Sequence, residues 1–226
     1  MITLYMVATP IGNLEDITLR ALRVLRDCDL LVCEDTKQTA KLAEKYEIIA
    51  PRTSFHAQTS PRQLEVLVQK IMQCESVCFV SDAGTPCVSD PGYKLLQSCM
   101  QQGIHIVPIP GPCALTTLMS VAGIPTHDIR FHGFLPHKKG RQTLITSLKD
   151  STITHGFYES VHRFPKLLQQ LSEYIGDSRI IVVGRELTKM HEDIFRGTVS
   201  DAKKYFTKEN IRGEFVVLVA PARYQL

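Results

Sequence analysis

The sequence predicts an α/β protein of two domains, residues 1–112 and 113–226, and three observations carry that prediction. Short apolar runs of strand length alternate with amphipathic stretches of helix length through the first half, the order from which parallel sheets are built. The segment "PIPGPCA" at 108–114 interrupts that order with three prolines and a glycine, and the joint is placed over residues 111–125. Beyond it, strand-like runs near 129–133, 153–158, 179–183, 194–198 and 214–219 follow one another with little helix between them, which predicts antiparallel pairing.

Element by element, "TLYMVA" at 3–8 reads as the first strand. Residues 17–26 form a helix whose face carries Ile17, Ala21, Val24 and Leu25, with Asp16 in the capping position. "LLVC" at 30–33 is a strand, 36–46 a helix, and 61–74 a longer helix opened by proline. "VCFV" at 77–80 is the next strand. "GYKLLQSCMQQG" is a short helix closed by Gly103, and "IHIVPIP" returns as a strand.

Composition narrows the function classes. A chain of 226 residues with 44% hydrophobic and 22% charged residues is that of an ordinary globular protein. Seven cysteines, none in a Cys-x-x-Cys pair and several inside apolar runs (Cys33, Cys78, Cys99), predict free thiols and a reducing cytoplasm. The N-terminus has no basic lead, and no run of about 18 apolar residues occurs, so neither export nor membrane insertion is indicated. Gly-x-Gly, Gly-x-x-x-x-Gly-Lys, His-Glu-x-x-His and Gly-x-Ser-x-Gly are all missing, which lowers dinucleotide binding, ATP hydrolysis, zinc proteolysis and esterase chemistry together. No metal site is expected.

Charge is uneven. Residues 1–112 carry 10 Lys and Arg against 12 Asp and Glu, whereas residues 113–226 carry 16 against 11. In the basic half, "RFHGFLPHKKGR" at 130–141 gathers Arg130, Lys138, Lys139 and Arg141 among histidines and phenylalanines. Such a stretch suits phosphates and bases, and equally a solvated surface.

Four strand-to-loop transitions carry small or polar residues: "ATPIGN" at 8–13, "CEDT" at 33–36, "SDAGTP" at 81–86 and "PIPGPCA" at 108–114. Singly each is a turn, a helix cap or a hinge. Jointly they line the carboxyl ends of parallel strands, where open α/β sheets hold ligands and where glycine lets backbone amides come close.

The segments "TPIGNLEDITLRALRVLRDCDLLVCEDTKQTAKL", "VSDAGTPCVSDPG", "PIPGPCALTTLMSVAGIP", "FHGFLPHKKGR", "FYESVHR" and "RELTK" resemble the bacterial small-subunit (16S) ribosomal RNA cytidine 2′-O-methyltransferase family, within the tetrapyrrole-methylase superfamily. The resemblance implies two α/β domains of the class III methyltransferase type, an S-adenosylmethionine cleft between them, and a homodimer acting on ribosomal RNA or the small ribosomal subunit. It places Pro10, Asp82, Ala83, Gly84, Thr85, Cys113, Ala114 and Tyr158 at the cofactor; the candidates for the substrate are His56, Lys138, Lys139, Arg141 and Arg163. For a base or an alkoxide-stabilising cation the candidates are Glu34, Asp35, Glu159, Glu186 and Lys189, each of which also reads as a cap, turn or ion-pair residue.

Two departures bear on the substrate. "HAQTS" at 56–60 keeps His56 where family members usually show His-x-His-Asn-Glu, and the sequence ends at Leu226 where many members continue. Two alternatives stay open at this point: a tetrapyrrole C-methyltransferase, and a noncatalytic RNA-binding module on the same fold.

Overall fold

The computed structural model describes residues 1–207 and 209–225. The chain divides into two compact units, Met1–Cys113 and Ala114–Leu226, and each holds one five-stranded sheet.

The first unit runs β1 (Thr3–Val7), α1 (Leu19–Asp27), β2 (Leu30–Cys33), α2 (Thr36–Lys45), β3 (Arg52–Ser54), α3 (Pro61–Ile71), β4 (Ser76–Val80), α4 (Tyr93–Gln101) and β5 (His105–Ile109). Its strands lie in the order β3-β2-β4-β1-β5, and every pairing is parallel. Alternation along the strands sets two apolar faces. Val7, Leu31, Cys33, Cys78 and Val80 pack with Ala21, Leu25, Leu42 and Ala43 of α1 and α2. Leu4, Leu30, Val32, Val77 and Phe79 pack with Leu67, Val68, Ile71, Leu95 and Cys99 of α3 and α4. Because all strands run the same way, every loop that leaves a carboxyl end emerges on one edge of the sheet.

Three local expectations are corrected. Thr18, not Asp16, caps α1, its Oγ1 accepting from the Ala21 amide, while Leu14–Asp16 form a separate 3₁₀ turn capped by Asn13. Helix α3 ends at Ile71 rather than at 74, because the Asp29 carboxylate accepts the Glu75 and Ser76 amides and draws that segment into β4. The short edge strand β3 is unheralded: three residues with no apolar alternation announce nothing.

The second unit runs α5 (Ala114–Val121), β6 (Ile129–Phe134), α6 (Arg141–Ser147), β7 (Thr154–Ser160), α7 (Phe164–Ile175), β8 (Ile180–Arg185), β9 (Asp193–Thr198), α8 (Val199–Tyr205) and β10 (Glu214–Val219). The order β6-β7-β10-β8-β9 is antiparallel except at its edge, where β6 and β7 are parallel and α6 makes the crossover. Antiparallel pairing throughout is therefore corrected, as is the scarcity of helix. Helices α6, α7 and α8 cover one face, where Phe164 stacks on Phe215 with centroids 4.0 Å apart. The segment read as a joint contains α5. Its Leu115 and Leu118 lie against Gly156 and Gly184, where an added Cβ would come within 2.9 and 3.0 Å of their methyls.

None of the seven cysteines is in a disulfide. Among the described residues no helix is long and apolar enough to cross a membrane, and no group of three or more His, Cys, Asp or Glu is placed to hold a metal ion.

Candidate active site

The carboxyl edge of the first sheet is knitted by its own loops. Thr9, just past β1, and Gly84, in the loop after β4, exchange backbone hydrogen bonds of 2.9 and 3.0 Å. Gly84 holds φ +79°, a left-handed angle that costs glycine little. Thr85 Oγ1 donates to the Pro112 carbonyl at 3.0 Å, which ties the same loop to the segment after β5. A Cβ on Gly111 would stand 3.0 Å from that of Ala8, so the β1 and β5 exits touch backbone to side chain. From β2, the Asp35 amide donates to Asp82 Oδ1 at 3.0 Å, and the Asp82 amide stands 3.5 Å from Glu34 Oε2. Four strand ends are thus held in one register.

Of the residues expected at a cofactor, Pro10 and Gly84 are buried under this lacing, Thr85 is half-buried, and Asp82 and Ala83 are exposed at its rim. Cys113 is half-buried at the end of the first unit. Ala114 and Tyr158 belong to the second unit, where Ala114 opens α5 and Tyr158 packs edge-on against Phe131 and Phe134.

The electrostatics of this edge are acidic. Burial raises the pKa of Glu34 and the Asp82 charge raises it further, with a smaller push from Asp90, against the hydrogen bond from the Asp82 amide and a weaker pull from His56. Burial also raises Asp82, against the hydrogen bond from the Asp35 amide, with the Asp35 charge adding a smaller push upward. Among the described residues, none of the ion pairs includes Glu34, Asp35 or Asp82. Carboxylates held together without a cation favour a positively charged ligand, whose arrival relieves their repulsion.

The five catalytic candidates separate on geometry. Asp35 is the N-cap of α2, its Oδ1 accepting the Lys37 amide at 2.7 Å. Glu159 is not a poised base: its oxygens lie 2.9 Å from Arg141 Nη1 and 2.7 Å from Arg163 Nη2, and its side chain is buried. Lys189 lies 2.8 Å from Glu186 and 2.9 Å from Glu214. Burial opposes its charge, but those hydrogen bonds outweigh the burial and raise its pKa, so it stays an ammonium. Burial likewise works against the Glu186 charge, and Lys189 with the Glu214 amide overcomes it, leaving Glu186 below its usual range. Glu34 alone combines a raised pKa with a place on the carboxyl edge.

The substrate candidates also divide. Lys138 and Lys139 are exposed on the loop before α6, and His56 is exposed beyond β3. Arg141 is corrected: it is buried against Glu159 and Gln170 and is not part of a solvent-facing basic cluster. Arg163 is half-buried, donating to the Leu135 carbonyl at 2.9 Å. Arg141 and Glu159 stand 18 residues apart, and no local periodicity links them.

The comparisons with known proteins follow the same lines. The family model described as "Tetrapyrrole (Corrin/Porphyrin) Methylases" matches residues 3–203. A "Ribosomal RNA small subunit methyltransferase I" of Thermotoga maritima is 43% identical over 96% of this chain and 97% of its own. A protein of the same name from Escherichia coli O157:H7 is 41% identical over 96% of this chain and 77% of its own. In fold alone, the chain is similar to the crystal structure of a cobalt precorrin-4 methyltransferase of cobalamin biosynthesis, with TM-score 0.73 and 17% identity over 96% of this chain and 94% of that one. A family match over most of the sequence, near-full-length relatives above 40% identity and a shared fold converge: the chain belongs to the tetrapyrrole (corrin/porphyrin) methylase family.

Proposed function

We propose that the chain is an S-adenosylmethionine-dependent methyltransferase that methylates the ribose 2′-hydroxyl of a cytidine in small-subunit ribosomal RNA. The observation that carries the cofactor half is the laced carboxyl edge of the first sheet. Gly84 and Gly111 let the strand-end loops pack closely on one another, and the carboxylates of Glu34 and Asp82, which enter no ion pair among the described residues, suit a ligand with a sulfonium and an ammonium group. Pro10, Asp82, Ala83, Gly84 and Thr85 would hold it there. The RNA half rests on relatives of about 40% identity named for ribosomal RNA, against tetrapyrrole enzymes alike in fold at 17% identity.

S-adenosylmethionine, when bound, supplies a methyl group activated as a sulfonium. The chain's task is then positional: hold the acceptor oxygen in line, exclude water and receive a proton. Glu34 is the proposed proton acceptor, since its raised pKa makes it a better base than an ordinary carboxylate. Lys138 and Lys139 would engage RNA phosphates. A homodimer working in the cytoplasm completes the proposal.

The decisive experiment is transfer of tritiated methyl from S-adenosylmethionine to small subunits and to naked ribosomal RNA, followed by nucleoside mapping. A 2′-O-methylcytidine product supports the proposal. Label on a base carbon or on a tetrapyrrole overturns the acceptor, and no cofactor binding at all returns the noncatalytic module. Light scattering that finds only monomer at micromolar concentration removes the dimer.

A further inference from the structure

We propose that a groove between β3 and α3 of the first unit is a second contact for the RNA strand, binding its phosphates apart from the basic loop at 138–139. The groove has a volume of about 350 Å³, and His56, Ser54, Thr59, Arg62, Val66 and Lys70 are among its walls, with no carboxylate in the lining. That is a local reversal of sign, since residues 1–112 carry more acidic than basic side chains.

The arrangement follows from the helix repeat. Arg62, Val66 and Lys70 stand at i, i+4 and i+8 on α3, so they form one stripe along its exposed side. Both cations are exposed, and neither enters an ion pair among the described residues. Their helical positions are separated by about 12 Å along the axis, too far for a single phosphate and suited to a strand that carries several. Val66, between them and 65% exposed, offers an apolar surface to a ribose or base.

The opposite wall adds neutral donors. β3 is the outermost strand of its sheet. The Phe55 amide bonds to the Cys33 carbonyl, so strand alternation turns the Ser54 amide to the open side. The α3 N-terminus is already occupied by the Ser60–Gln63 capping box, which leaves the binding to side chains and the strand edge. His56, on the loop that follows β3, completes the lining on this side. The inference rests on the RNA reading above for the identity of the polymer.

The test compares wild type with Arg62→Ala/Lys70→Ala in binding a single-stranded RNA oligomer across a salt series, and in methyl transfer to ribosomal RNA. Loss of two phosphate contacts predicts about tenfold weaker binding at low salt and a slope shallower by roughly 1.4. KM for RNA rises with kcat unchanged, as for uniform binding. The thermal shift by S-adenosylmethionine stays intact, and Arg62→Lys/Lys70→Arg restores most of the affinity. Unchanged affinity and slope while wild type methylates RNA overturn the groove alone. A wild type that neither binds nor methylates RNA overturns both readings, and loss of the cofactor shift in a folded double variant shows that the stripe supports the cofactor site, which overturns the groove as an RNA contact.

Discussion

Glu159 and Arg141 form a buried ion pair, 2.9 Å from Oε2 to Nη1, with side chains 0% and 5% exposed. Arg163 closes on the other carboxylate oxygen at 2.7 Å. The two guanidiniums also reach backbone: Arg141 Nη1 stands 3.4 Å from the Pro136 carbonyl, and Arg163 donates to that of Leu135. One carboxylate at the end of β7 therefore anchors the start of α6, the approach to α7 and the base of the loop that presents Lys138 and Lys139.

Glu159→Ala leaves two guanidiniums without their shared carboxylate, and removal of one partner of a buried pair costs about 3–5 kcal/mol. The expected result in urea is a large fall in midpoint with an unchanged m-value. Methyl transfer measured well below the variant's melting point should survive. Abolished transfer in a variant shown to be folded would reinstate Glu159 as a participant in the chemistry.

Gly84→Val tests the cofactor edge. Valine at φ +79° is strained, and its Cβ would stand 3.3 Å from Ile11 Cγ2. A ligand at about 100 times its Kd stabilises a protein by roughly 2.7 kcal/mol, so wild type should show a clear thermal shift with S-adenosylmethionine. The variant should show none. A folded variant that shifts as wild type does removes this loop from the site.

Glu34→Gln tests the base. A positioned general base contributes roughly 10²- to 10⁴-fold, so kcat should fall by a factor in that range with little change in cofactor affinity. The raised pKa of Glu34 has a signature of its own: on the acid side, the wild-type rate declines with an apparent pKa above that of an ordinary carboxylate, as the base becomes protonated. In Glu34→Gln that limb disappears. Retention of the limb would assign it to another group.

The first sheet was largely legible in the sequence because parallel strands are buried on both faces. Leu30–Cys33 is buried at every position, and such strands read as unbroken apolar runs. Helix α7 was overlooked although Phe164, Leu167, Leu168, Leu171 and Ile175 keep a helical period; Pro165 reads as a breaker but sits in the first turn, where proline is tolerated. The strand-end loops were legible as loops with a common location. Their lacing was not, because the Thr9–Gly84 and Asp35–Asp82 contacts join residues 75 and 47 positions apart. Arg141 misled for the same reason: beside Lys138 and Lys139 it reads as one more surface charge, and only the return of β7 shows its partner.

His132 and His155 make the last prediction. Their rings stack 5.1 Å apart, with His132 Nε2 and His155 Nδ1 2.8 Å from each other, and His155 Nε2 lies 2.6 Å from Ser151 Oγ. Burial, then His132, Arg130 and Arg179, lower His155 to about 4, with only Asp128 acting the other way. Burial and Arg130 lower His132 as well. Between pH 6.5 and about 4 the unfolded chain therefore binds a proton that the folded chain refuses. Stability is complete above pH 6.5 and falls as the pH drops through that window, by up to roughly 3 kcal/mol from His155. His155→Gln should be less stable than wild type at pH 8, where it loses the ring packing, but should lose less on acidification because the titrating group is gone. Urea midpoints for both proteins at pH 8, 6.5, 5 and 4 decide the matter. Parallel curves with no convergence toward low pH would show that the pair is not the source of acid sensitivity, and the carboxylates would then carry it.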